Sequence, residues 1–135
     1  MSEPMIVKTI FLNASAEKVW RYLTEKDLLA RWFHETDRDL DAGAAFSYLS
    51  FDIDKSDRKL MWGEVLESDP PHKLVHTFTH EWLKGEVTTV TWELRTIGTG
   101  TQLTMTHRGM SSFTQLSDHD KGWDEHFLRF RMMLS

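Results

Sequence analysis

Near the end of the chain, large apolar residues recur every three or four positions, which is the period of one face of an α-helix. These residues are Trp123, Phe127, Phe130 and Leu134. We predict a helix over residues 117–134, with Ser117 as its N-cap and acidic residues in its first turn. Its aromatic face requires a large apolar surface. Gly122 costs a helix interior about 1 kcal/mol relative to alanine, so we expect another group to approach the backbone closely there.

Between residues 45 and 108, apolar and polar positions alternate in short runs, which is typical of antiparallel strands with one buried face. Prolines at 70 and 71 and glycines at 98 and 100 mark turns between runs. The predicted strands are residues 45–52, 60–67, 74–80, 86–95 and 101–108, with further turns at 54–58 and 84–85.

Residues 5–12 form another predicted strand, followed by two short helices. The alternation in this strand does not decide which side is buried, because Lys8 lies on the same side as Ile6 and Ile10. Ser15 is a favourable N-cap for the first helix, and Asp27 lies in the first turn of the second. The apolar residues of the two helices are Val19, Trp20, Leu23, Leu28, Leu29, Trp32 and Phe33.

The order of these elements predicts an α+β fold. Its sheet of about six antiparallel strands has one apolar side, and the C-terminal helix has one unpaired apolar face, so each can bury the other. A twisted sheet would wrap around the helix, and the two short helices would cover one end. We expect residues 1–135 to form a single domain. A curved sheet does not contact a straight helix everywhere, so a cavity between them is easily formed.

Composition narrows the class of protein. The 16 basic and 21 acidic residues give a net charge of −5 with no basic cluster on one element, so we expect no nucleic-acid partner. No apolar run approaches the length of a membrane span, and no secretory signal is evident. The chain has no cysteine, which excludes disulfides and thiolate chemistry and agrees with a cytoplasmic location.

Several short motifs, in order, resemble the activator of Hsp90 ATPase homologue 1-like (AHSA1-like) domain of the START-like (SRPBCC) helix-grip superfamily. They are ASAEKVW at residues 14–20, LARWF at 29–33, GEVLE at 63–67, DPPHKLV at 69–75, TQLTMTHRGM at 101–110 and Gly122-Trp123. The resemblance implies the helix-grip fold, in which a curved antiparallel sheet surrounds a long C-terminal helix.

The same resemblance implies three functions. The first, which we favour, is binding of a hydrophobic small molecule in the cavity. The second is a co-chaperone role in the stress response, with an Hsp90-type chaperone as partner. The third is catalysis like that of a polyketide cyclase or dehydratase.

Inward-facing positions on the predicted elements identify candidate cavity residues. His80 and His107 would supply polar groups in an otherwise aromatic pocket, which is how many ligand sites orient their ligands. The alternative is that these histidines are structural and are satisfied by a backbone carbonyl or by Tyr48. The candidate ligand-binding residues are Trp32, Phe46, Tyr48, Phe78, His80, Trp92, Met105, His107, Trp123 and Phe127.

Catalytic and metal chemistry have little support in the sequence. No nucleophile motif or phosphate-binding loop is present, and the best acid–base candidate is Glu64 together with His80. His76 and His80 on one strand would be about 13 Å apart, too far to share a metal ion. We therefore expect no metal, no cofactor and binding rather than catalysis.

Overall fold

The computed structural model describes residues 3–51, 57–80, 83 and 85–135, without the side chains of residues 50, 51 and 57–60. Its elements are β1 (Met5–Leu12), α1 (Ala16–Thr24), α2 (Lys26–Trp32), β2 (Ala45–Phe51), β3 (Asp57–Asp69), β4 (Lys73–His80), β5 (Thr88–Ile97), β6 (Gly100–Arg108) and α3 (Phe113–Met133). Six antiparallel strands form one open, curved sheet in the order β1-β6-β5-β4-β3-β2, and α3 is the long C-terminal helix. The predicted α+β helix-grip fold is confirmed.

The strands agree with the alternation pattern, with shifts at their ends. β1 has the predicted bounds, whereas β3 is longer than predicted because it begins at residue 57 and ends at residue 69. β5 lies two residues later than predicted, since it continues to a two-residue turn in which Ile97 pairs with Gly100. Most of the predicted turn at 54–58 and the first residue of the turn at 84–85 lie outside the described residues.

Helix α3 begins earlier than the apolar period indicated. Its N-cap is Ser112, whose Oγ accepts a hydrogen bond from the Gln115 backbone N–H at 3.0 Å. The prediction of Ser117 as N-cap is wrong, because the Ser112 side chain already caps the helix five residues earlier. Asp118 and Asp120 therefore lie within the helix. Phe113, the first residue of the helix, is 82% exposed. The apolar period of the buried face therefore does not extend to the helix start.

Lys8 shows which side of β1 faces the helix. Its Nζ lies 2.6 Å from Asp120 Oδ1 and 2.9 Å from Asp124 Oδ1, both on α3. The side chains that alternate with Lys8 on the other side of the strand, including Val7 and Phe11, are exposed. The side that carries Lys8 and Ile6 therefore faces α3, and the charged head of Lys8 reaches the acidic residues of the helix while its stem covers apolar surface.

The predicted aromatic face of α3 is buried, and it packs on α2 as well as on the sheet. Trp32 stacks on Phe130 with ring centroids 4.2 Å apart and planes 13° apart, and it also stacks on Phe127 at 6.1 Å. Trp32 Nε1 donates to the Tyr22 backbone carbonyl at 2.9 Å, which holds the indole in place. The short helices are thus anchored by a ring that belongs to the central core. Among the described residues, no helix combines the length and apolarity needed to cross a membrane.

Gly63 is required by the close approach of β3 to β4. An added Cβ would lie 2.0 Å from the Thr77 carbonyl oxygen and 3.1 Å from the ring of Phe46. The next residue, Glu64, donates its backbone N–H to Thr77 Oγ1 at 2.9 Å, so the two backbones are held together at this point. Neither backbone can move away without breaking the sheet.

We predict that Gly63→Ala lowers the free energy of unfolding by about 2 kcal/mol or more, because the methyl group overlaps backbone rather than a flexible side chain. The control is Gly122→Ala, whose added Cβ meets no atom within 4 Å and which should raise stability by about 0.5–1 kcal/mol through helix propensity. Urea unfolding of both variants measures the two changes. Equal stabilities would contradict the close contact at residue 63.

Candidate functional site

A cavity of about 190 Å³ lies between the N-terminal half of α3 and the sheet. Its lining residues come from the end of α2 and the following loop, from β3, from β4 and from one face of α3. They are Phe33, His34, Met61, Phe78, Asp118, His119, Gly122, Trp123 and His126. The walls are therefore mainly aromatic, with several polar groups among them.

Gly122 leaves the space that the cavity occupies. An ideal Cβ at this position would have no other atom within 4 Å, apart from its own local backbone. The expectation that another group approaches the backbone of Gly122 closely is therefore wrong. A side chain at this position would project into open space beside Trp123 and His119, so the glycine widens the gap between helix and sheet.

The loop after α2 is held over the cavity by main-chain pairing with β2. Leu49 donates its backbone N–H to the Glu35 carbonyl at 2.7 Å, and Asp37 donates to the Ser47 carbonyl at 3.0 Å. This pairing fixes Phe33 and His34, which come just before it. The ring of Phe33 then stacks on Trp123 of α3 with centroids 5.3 Å apart and planes 6° apart.

Two of the ten predicted ligand-binding residues, Phe78 and Trp123, line this cavity. The others are at most 7% exposed and pack in the core around it. They are Trp32, Phe46, Tyr48, His80, Trp92, Met105, His107 and Phe127. Alternation placed them correctly on the inward side, but their rings fill the space between α3 and the sheet.

Sequence reasoning missed most of the cavity lining. On α3, residues 119, 122 and 126 are spaced by three and four and form a stripe beside the aromatic face, which is a signal that periodicity could have found. Met61 pairs with Tyr48 across β2 and β3, and strand alternation could have indicated it. His34 lies in a loop, where no periodic pattern applies.

His107 is a structural histidine behind the cavity wall. Its Nδ1 accepts from Trp123 Nε1 at 3.0 Å, and its Nε2 donates to Thr88 Oγ1 at 2.7 Å. The Thr88 hydroxyl in turn donates to the Phe78 carbonyl at 2.5 Å, so it has no proton to offer the ring. The imidazole is therefore neutral with its proton on Nε2. Burial, with smaller contributions from neighbouring histidines, lowers the pKa of His107 to about 3.

His76 is satisfied in the same way but carries the opposite tautomer. Its Nε2 accepts from Trp92 Nε1 at 2.9 Å, so its proton is on Nδ1, which donates to the Thr77 carbonyl at 2.9 Å. Burial lowers the pKa of His76 to about 4. The alternative that His107 is structural agrees with these contacts, but its partners are Thr88 and Trp123 rather than a backbone carbonyl or Tyr48.

His80 contacts the cavity lining at His119. The Nε2 atoms of the two rings are 2.8 Å apart, and a single proton lies between them because two N–H groups cannot face each other. His119 Nδ1 donates to the Gln115 carbonyl at 2.6 Å, one turn earlier in α3. Both nitrogens of the cavity-lining His119 are therefore engaged, which leaves it without a free base.

A second pair of polar side chains in the lining is His34 and His126, and the exposed Arg129 contacts His126 from outside the lining. The two imidazole centroids are 4.9 Å apart, and the Arg129 guanidinium donates to His126 Nδ1. Burial is the main cause that lowers the pKa of His34 to about 4, and the Arg129 charge adds to it. Burial, followed by His34 and Arg129, lowers the pKa of His126 to about 3. Both rings are neutral at pH 7.

The predicted acid–base pair is not assembled. Glu64 is exposed to solvent while His80 is buried, so the expectation that Glu64 and His80 act together in a buried site is wrong. Alternation on β3 turns the side chain outward next to the inward-facing Val65. Within the described ranges, no group of three or more histidine, aspartate and glutamate side chains is arranged to hold a metal ion.

We predict that the free energy of unfolding falls as the pH drops below about 6.5. Below this pH His76 and His107 bind protons in the unfolded chain, whereas in the folded chain their pKa values are lowered to about 4 and about 3. Their contribution is complete above pH 6.5 and is lost toward those lower values. Near pH 5, His107→Gln should reduce the slope of unfolding free energy against pH by about 1.4 kcal/mol per unit. The control is His72→Gln, which replaces an exposed ring and should leave the slope unchanged. An unchanged slope in His107→Gln would contradict the conclusion that His107 is buried and neutral.

Comparisons with known proteins agree with this architecture. The family model described as "Activator of Hsp90 ATPase homolog 1-like protein" matches residues 13–135. The crystal structure of CalU16 from Micromonospora echinospora is 25% identical with a TM-score of 0.80, over 97% of this chain and 76% of that one. The structure of PFC0360w, an HSP90 activator from Plasmodium falciparum, is 25% identical with a TM-score of 0.72, over 92% and 90% of the two chains.

A third structure, MLL2253 from Mesorhizobium loti, has a TM-score of 0.81 at 23% identity, over 96% of this chain and 95% of that one, and so supports the fold alone. A search of curated proteins found no significant match. The family model covers most of the chain. The chain therefore belongs to the family of activator of Hsp90 ATPase homolog 1-like proteins.

Proposed function

We propose that this protein binds a small, mainly aromatic molecule in the cavity between α3 and the sheet. The observation that carries the proposal is the open space at Gly122 within an otherwise closely packed aromatic core. Gly122 lowers the free energy of unfolding relative to alanine, and its missing side chain makes no closer packing possible. A bound ligand that fills the open space beside Gly122 would offset this loss of stability.

The proposed ligand contacts follow from the lining residues. Phe33 and Trp123, stacked on each other, line one side of the cavity, and Phe78 lines it on the side of the sheet. The remaining predicted residues, such as Trp92 and His107, would support the cavity from behind, since His107 fixes the indole of Trp123 by a hydrogen bond. Rings held in this way need no reorganisation on binding, which favours affinity.

We predict that Gly122→Leu abolishes binding of 1-naphthamide, a neutral two-ring probe, because the leucine side chain occupies the cavity. Isothermal titration calorimetry measures the affinity, and circular dichroism checks the fold. Thr114→Leu is the matched control, since it adds leucine to an exposed position of the same helix and should leave the affinity unchanged. Equal binding by wild type and Gly122→Leu, or no binding by either, would refute the proposal.

A second candidate function is activation of an Hsp90-type chaperone. It is supported by the family description and by the likeness to the HSP90 activator from Plasmodium falciparum, which the chain matches over most of both lengths. The test is the ATPase rate of the chaperone from the same organism with and without this protein. A rate increase supports the function, and an unchanged rate with a chaperone that hydrolyses ATP normally would exclude it.

A further inference from the structure

We propose that the ligand is a monoanionic aromatic acid of one or two rings, and that its acidic group docks against Arg129, His126 and His34. This inference rests on the proposed ligand-binding function and adds the chemical class of the ligand. It is carried by three features of the cavity: its size, the unpaired charge of Arg129 and the set of hydrogen-bond donors around it.

The size of the cavity limits the ligand. Its volume of about 190 Å³ is below the range of about 300–1,000 Å³ that is usual for sites of drug-sized molecules. A long acyl chain or a four-ring molecule would not fit without displacing core side chains. The rings of Phe33, Phe78 and Trp123 in the lining favour an aromatic guest, because aromatic groups pack favourably against one another.

Arg129 carries a charge that no acidic side chain of the described residues neutralises. Its guanidinium instead contacts the Trp32 carbonyl, 3.3 Å from Nε, and His126 Nδ1. The acidic residue in the cavity lining, Asp118, lies eleven positions earlier on α3, about 16 Å along the helix axis. Arg129 is exposed and lies just outside the lining, in contact with His126, so its charge favours an anionic group at the His126 end of the cavity.

The polar groups near Arg129 are the ring of His126, which also interacts with the Trp32 backbone, and the ring of His34. Arg129 occupies Nδ1 of His126, which leaves its proton on Nε2, and donation from a guanidinium strengthens the donor on the far side of the ring. His34 lines the cavity, and among the described residues neither of its ring nitrogens makes a hydrogen bond. Tyr48 packs edge-on against Phe33, with centroids 5.0 Å apart.

A carboxylate matches this arrangement better than other polar groups. It only accepts hydrogen bonds and offers several lone pairs, so it can satisfy more than one of these donors at once. His34 and His126 are both neutral, so Arg129 supplies a single positive charge. One charge is balanced by a monoanion, whereas a phosphate dianion would remain partly uncompensated in a half-buried site.

The test compares 1-naphthoate with 1-naphthamide, which share the ring system and nearly the same shape but differ in charge. We expect wild-type protein to bind 1-naphthoate about tenfold or more tightly than 1-naphthamide at pH 7, since charge-assisted hydrogen bonds are stronger than neutral ones. Arg129→Gln should remove this preference. The matched control Arg131→Gln removes the same charge from the exposed face of the same helix and should retain it.

The outcomes separate this inference from the function on which it rests. If 1-naphthamide binds and Gly122→Leu blocks it, but 1-naphthoate has no advantage, ligand binding stands and the acid class is wrong. If Arg129→Gln still binds 1-naphthoate more tightly than 1-naphthamide, the acidic group does not dock against Arg129. His126→Phe keeps the ring contact with Phe33 and removes the donor, so it provides a second test should Arg129→Gln fail to fold. If neither probe binds, both proposals fail.

Discussion

The fold depends on the contact between the aromatic face of α3 and the rings of α2 and the sheet. Trp32 is central to it, because it stacks on Phe130 and Phe127 of α3 and meets Trp92 of β5 edge-on at 6.2 Å. Rings of this size bury about 150–250 Å² each and dominate core energetics. The short helices α1 and α2 would be unstable in isolation, so they depend on this contact as well.

Buried histidines orient the tryptophans of this core. Each of the two indole N–H groups that face the sheet, those of Trp92 and Trp123, needs an acceptor, and each finds an imidazole nitrogen. The second nitrogen of each imidazole is bonded on β4 or β5. Since leaving a buried polar group unpaired costs about 1–3 kcal/mol, these chains of hydrogen bonds favour one orientation for each ring. The walls of the cavity are therefore rigid, and their rigidity depends on histidines that stay neutral.

The cavity exists where this packing stops. Toward its C-terminal end α3 is covered by α1 and α2, with Tyr22 stacked on Phe130 at 5.9 Å. Toward its N-terminal half the loop after α2 crosses it, and Gly122 presents no side chain. The same helix thus stabilises the domain through its C-terminal half and leaves room for a ligand along residues 118–126. Arg129 follows this stretch by one turn and contacts His126 at its end.

The sequence by itself determined the order of the elements, the inward side of most strands and the aromatic face of α3, because these follow from local periodicities of two and about 3.6 residues. It also indicated the α+β class, since an apolar face on each element must be paired. Tertiary structure alone decided which inward rings fill the core and which line the cavity. That distinction depends on how far the curved sheet diverges from the helix, and on contacts such as Arg129 with Trp32, which are 97 positions apart in the chain. Only the folded chain brings His34, His126 and Arg129 together, because no local pattern relates a loop residue to a helix that forms ninety residues later.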